Sequence, residues 1–131
     1  MNVVIDASAF IRAAERHAEA SVWIERIDAE EVEGHAPELI YAEVANGEVM
    51  RVRSGMLDLD GAEEVVDVLR KLPLAIMPLS ELAVPALRVA ARLGLSVYDA
   101  CYVALADVAQ ATLLTADRRL ASAASPSILL D

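Results

Sequence analysis

The chain has a single cysteine, Cys101, so no intrachain disulfide can form. A core must hold the fold together, and a reduced, cytoplasmic setting is expected. Positive charge is scarce: 11 Lys and Arg stand against 21 Asp and Glu, a net charge of −10. That balance excludes a protein that coats nucleic acid with a broad basic face. Long apolar runs are missing too. Met1 to Ile5 is interrupted by Asp6, too soon for a signal peptide, and nothing approaches the roughly 20 residues of a membrane span. No GxGxxG follows the first apolar run and no GxxxxGK[ST] loop exists, which removes the phosphate cradles of dinucleotide and nucleoside-triphosphate sites. Asp6-Ala7-Ser8 lacks the second acid that an aspartyl-phosphate phosphatase places two residues on. The two histidines, His17 and His35, read as surface residues away from strand ends, so a Ser or Cys nucleophile has no base. Internal repeats, linkers and low-complexity tracts are absent.

Hydrophobic residues make up 56% of the 131, enough for one domain over residues 1–131. A chain of this size buries about two-thirds of its unfolded surface without a staple. Ten of the eleven basic residues are Arg, which pairs well with phosphate. Arg12, Arg16, Arg51, Arg53, Arg118 and Arg119 lie near the acids considered below. An acidic chain with local Arg suits brief handling of a phosphate backbone, and equally a basic protein partner.

The organising stretch runs from Leu95 to Leu120. Ser96 is a good N-cap, and Ser96-Val97-Tyr98-Asp99 has capping-box spacing. Val97 to Ala109 is predicted helical, and Ala111 to Ala116 a strand buried on both faces. From Asp99 the helix advances about 16 Å, at ~1.5 Å per residue. The strand returns about 20 Å, at ~3.3 Å per residue. Asp99 and Asp117 therefore finish at the same end of the unit, where an open α/β sheet binds its ligands.

Elsewhere, Asn2 to Ile5 predicts a central strand ending at Asp6, followed by a helix with Ser8 as its N-cap. Ser21 to Ile27 has helical spacing, with Trp23 packing against another helix or a second subunit. Asp28 to Glu31 reads as a solvated connector. Val32 to Ala36 is a faint second strand, and Pro37 marks the start of a helix over Glu38 to Val52. Glu43 falls on that helix's core-facing stripe, an uncommon place for an acid. Leu59 to Leu72 is amphipathic, and Leu74 to Met77 predicts a third strand. Leu82 to Leu93 is helical, its ladder beginning near Val84 because of Pro85. Ser127 to Leu130 predicts a closing edge strand. Strands without alternation, interleaved with helices, predict a parallel sheet of four to five strands with helices on both faces.

Asp6, Glu43, Asp99 and Asp117 stand out by position. Each has an ordinary reading alone: Asp6 as a helix cap, Glu43 as a neutraliser of an Arg, Asp99 as the partner of Ser96, Asp117 as a turn residue. Together on one rim they repel, and such a cluster ordinarily persists around a divalent cation. An all-oxygen set favours Mg²⁺ or Mn²⁺. Ser8 and Thr115 sit beside the acids, able to bond metal waters or backbone groups. Tyr98, Cys101 and Tyr102 read as core and helix-packing residues.

VIDASAFI, the inward Glu of PELIYAEV, SVYDACYVALA and TLLTADRRL together resemble the PIN-domain ribonucleases, in particular the VapC-type toxins of bacterial toxin–antitoxin pairs. The likeness spans essentially the whole chain. It implies a single PIN-like domain and Mg²⁺- or Mn²⁺-dependent endoribonuclease cleavage. Asp6, Glu43, Asp99 and Asp117 would be the metal-binding catalytic acids, with Ser8 and Thr115 in support. Arg12, Arg118 and Arg119 would steer the RNA backbone. A homodimer and a VapB-type antitoxin that places a basic side chain in the acidic groove are implied as well, with no membrane involved. A housekeeping nuclease of RNA processing, or an idle interaction module whose acids receive a partner's Arg, are the other readings.

Overall fold

Along the first strand, β1 (Asn2–Ile5), Val3 and Ile5 enter one apolar layer and Val4 the other, so both faces are covered. That is why the run is continuously apolar. In a computed structural model, which describes residues 1–124 and 126–130, four more strands join it: β2 (Glu33–Pro37), β3 (Leu74–Met77), β4 (Thr112–Thr115) and β5 (Ser127–Leu129). The sheet order is β3-β2-β1-β4-β5, and every pairing is parallel. Parallel neighbours need crossovers, and helices supply them. The helices α1 (Ala7–Ala14), α2 (Ala18–Asp28), α3 (Ile40–Arg53) and α4 (Leu59–Lys71) cover the face reached by Val3 and Ile5. The opposite face, reached by Val4 and Leu113, carries α5 (Leu79–Leu93), α6 (Val97–Ala109) and the short α7 (Arg118–Ala123). Among the described residues no single helix is long and apolar enough to cross a membrane.

Several local expectations are corrected. Pro37 does not open α3; it ends β2, opposite Met77 of β3. The pairing of β2 with β1 has ended at His35, so no β1 partner needs the N–H that proline lacks. α3 begins only at Ile40. Pro85 lies inside α5, whose helix starts six residues earlier at Leu79. The proline removes the bond to the Glu81 carbonyl, on an exposed residue, while Leu82, Ala86 and Val89 are buried together. α1 is capped by Asp6 in extended backbone rather than by Ser8, which is already helical. Asp28 belongs to α2. His35 is no surface residue: its side chain is mostly buried, and Glu33 stands 3.3 Å from its Nε2. His17 is half-buried and caps α2. Tyr98 is 64% exposed and packs into no core, while Cys101 and Tyr102 are buried as expected. Trp23 is partly buried, with the Arg26 guanidinium 4.4 Å over its ring.

Candidate active site

The chain leaves β1 for β2 on one side and returns to β4 on the other, with Ile5 opposite Leu114. Beyond the carboxyl ends of those two strands lies the crevice of a topological switch point. Asp6 and Asp117 follow the two strands there, each as the N-cap of the next helix.

Asp6 is buried and surrounded by donors. Its Oδ1 accepts from the Ala9 backbone N–H at 2.8 Å and from the Ser8 hydroxyl at 2.7 Å. Its Oδ2 accepts a short bond from the Thr115 hydroxyl. Burial pushes the acid up to about 6; the bonds from Thr115, Ala9 and Ser8 pull it down, and the Asp117 charge adds a small push upward. Ser8 and Thr115 thus act on Asp6 itself. Ser8 Oγ also accepts from the Ala116 N–H at 2.9 Å, and Thr115 Oγ1 from the Asp117 N–H at 3.0 Å. The two hydroxyls pin the end of β4 to the start of α1.

Asp117 is exposed and caps α7, its Oδ1 accepting from the N–H groups of Arg119 and Leu120 at 2.9 and 3.2 Å. Asp99 is half-buried in the first turn of α6. The capping bond there runs from the Asp99 backbone N–H to Ser96 Oγ at 3.1 Å, and its carboxylate lines the crevice. Glu43, one turn into α3, accepts from the Tyr102 hydroxyl at 2.5 Å. Burial raises its pKa, the Tyr102 bond lowers it and the Asp99 charge raises it. Sequence reasoning left Tyr102 in the core; the available signal was its place one turn after Asp99, on the same helix face.

Asp6, Glu43, Asp99 and Asp117 line one cavity of about 240 Å³, with Ser8 and Tyr102 in its wall. Among the described residues no three of His, Cys, Asp and Glu stand close enough to hold a bare ion directly. The donor set fits a hydrated divalent cation better: Mg²⁺ keeps several waters and takes only one or two carboxylates. Oδ2 of Asp6, with one bond of the two it can accept, retains a lone pair for such a role.

The arginines divide. Arg12 lines an adjoining hollow of about 410 Å³ that shares Ser8 and Asp117 with the acid cavity. Arg119 is held by the Gly94 carbonyl, to which its Nη2 donates at 3.0 Å. Arg118 opens α7 on the exposed side. Arg51 is committed to the buried Glu48, 2.9 and 3.0 Å from its two oxygens. Larger hollows of about 610 and 500 Å³ lie apart from the acids, between α3 and α4 and among α1, α2 and α4.

The family model for the PIN domain matches residues 3–126. Ribonuclease VapC3 of Pyrobaculum aerophilum is 37% identical over 123 residues, covering 92% of this chain and 93% of that protein. The crystal structure of PAE2754, also from Pyrobaculum aerophilum, is similar at 28% identity with a TM-score of 0.76, over 99% of this chain and 92% of that one. VapBC2 of Rickettsia felis, solved bound to a DNA fragment from its promoter, has the same fold at 17% identity, with a TM-score of 0.70 over 98% and 97%.

Proposed function

This chain belongs to the PIN-domain family, and on that premise we propose that it is a Mg²⁺- or Mn²⁺-dependent endoribonuclease, the toxin of a toxin–antitoxin pair. One observation carries the reading: four carboxylates from two strand ends and two helices line a single cavity at the sheet's carboxyl edge. A relative that is named a ribonuclease covers nearly the whole chain. Asp6, Asp99, Asp117 and Glu43 would hold the hydrated cation, one or two of them directly and the others through its waters. When bound, a divalent cation supplies an activated water and neutralises charge on the phosphoryl oxygens.

The chain's own residues do the rest. Ser8 and Thr115 fix the rotamer of Asp6 and, by donating to it, favour its ionised form at neutral pH. The α7 cap holds Asp117 in place. Arg12, beside the cavity, takes the RNA backbone as a phosphate contact, and Arg118 and Arg119, at the start of α7, would add to it. The acidic cavity suits a basic side chain of a VapB-type antitoxin. Solved toxin–antitoxin complexes share this fold. A homodimer in the cytoplasm completes the proposal.

The test uses purified chain, RNA and controlled metal. Cleavage is expected in Mg²⁺ or Mn²⁺, to stop in EDTA and to fail for Asp6→Asn. Induced alone, the wild type should arrest bacterial growth and Asp6→Asn should not. Full cleavage in excess EDTA overturns the metal mechanism, and equal growth arrest by both proteins at matched expression overturns the toxin reading.

A further inference from the structure

We propose that Tyr102 is a positioning residue: its hydroxyl fixes Glu43 at the acid cavity, committing Oε1 and presenting Oε2 to a divalent cation. The inference rests on the metal-site reading above and deepens it. Tyr102 is buried, and its hydroxyl donates to Glu43 Oε1 at 2.5 Å across 59 residues of sequence. A phenol has one proton to donate, and here Glu43 receives it. One side chain therefore joins two elements at the acid cavity: α3 through Glu43, and α6 one turn beyond Asp99.

A buried tyrosine seeks an acceptor even where the bond serves packing alone. Two observations favour more. Ile40 and Val44, the apolar neighbours of Glu43 on α3, belong to the layer on one face of the sheet, whereas Tyr102 belongs to the other. The bond thus reaches around the sheet's edge at the point where the acids meet. Its acceptor is also a cavity carboxylate, not a backbone carbonyl of the surrounding core. Glu43 has a long side chain with several rotamers; fixing it before the cation arrives removes an ordering cost from binding.

The test compares wild type, Tyr102→Phe, Glu43→Asp and the double variant for Mn²⁺ affinity, followed by electron paramagnetic resonance of the free ion. RNA cleavage is measured in parallel. Partners of metal ligands typically matter about 10- to 100-fold, and Tyr102→Phe should weaken Mn²⁺ binding by a factor in that range. With saturating Mn²⁺ it should lower kcat while leaving KM for RNA within about twofold. Glu43→Asp withdraws the carboxylate from the phenol and should produce a similar loss. The double variant should bind no worse than the weaker single one, because both changes break one bond. A folded Tyr102→Phe that binds Mn²⁺ like the wild type overturns the proposal, as does a double variant that loses the product of the two single effects. If Tyr102→Phe does not fold, Tyr102→Met, which fills the site without a hydroxyl, decides: wild-type Mn²⁺ affinity overturns the proposal and weakened affinity supports it. Wild type that neither binds Mn²⁺ nor cleaves RNA overturns the parent reading and this one together. Wild type that does both beside an unchanged Tyr102→Phe overturns this inference alone.

Discussion

Burial alone would leave Asp6 reluctant to ionise, and three donors only partly offset it, so the acid settles near 6 against an ordinary 3.8. Between those values the folded chain holds a proton that the unfolded chain has released. Linkage then gives the sign: metal-free stability falls as pH rises from about 4 to 6. The difference corresponds to on the order of 3 kcal/mol for this one group. Melts of wild type and Asp6→Asn in EDTA across that range should diverge, with the variant's profile the flatter and its stability at pH 7 equal or higher. Parallel profiles would mean that Asp6 ionises freely in the folded state. Thr115→Val keeps the volume and deletes one donor to Asp6. It should move the acid limb of the cleavage profile to higher pH, because the ionised carboxylate loses a bond that favours it. An acid limb that stays in place would show that another group sets it.

The Ser96 turn separates two jobs that look alike in sequence. The capping bond uses the backbone N–H of Asp99, so Asp99→Asn leaves it intact and changes only the cavity. Ser96→Ala should cost about 1 kcal/mol of stability and keep cleavage, whereas Asp99→Asn should lose cleavage and keep metal-free stability. Urea melts and an RNA assay on both variants check the split; the reverse pattern would make Asp99 a capping residue only. How legible each element was follows from what forms it. β1, β4 and α6 carry their identity in their own composition, and their bounds match expectation within about one residue. β2, Glu33-Gly34-His35-Ala36-Pro37, has no β-branched residue and is a strand because β1 and β3 pair with it. Gly34 explains part of this: a Cβ there would meet Ile27 Cγ2 at 2.8 Å and Leu74 Cδ2 at 2.9 Å. Gly34→Ala should destabilise by about 1–3 kcal/mol through overpacking. A chemical-denaturation midpoint equal to wild type would contradict that packing. The four acids were legible because strand ends and helix faces are periodic features. The Tyr102–Glu43 bond was not, since it depends on how two layers meet.

At the scale of the whole molecule, a chain with net charge −10 gathers four carboxylates at one edge of its sheet. Without metal, that edge works against folding; with a cation it should favour the folded state, because the unfolded chain has no such cavity. A ligand that binds only the folded form stabilises it by about 2.7 kcal/mol at a hundredfold excess over its Kd. Mn²⁺ should therefore raise the wild-type Tm by several degrees in buffers near pH 7, and less below pH 6, where protons compete for Asp6. Matching the ionic strength of the EDTA and Mn²⁺ buffers removes general screening of the acidic surface, which would otherwise mimic part of the effect. Asp99→Asn should gain much less from Mn²⁺. Asp107→Asn is the internal control: the residue is exposed, on the same helix, and about 12 Å along the axis from Asp99. It removes the same charge without touching the cavity, so its gain should equal that of the wild type. Equal gains for all three proteins would mean that Mn²⁺ acts on the acidic surface as a whole and that the cavity holds no ion.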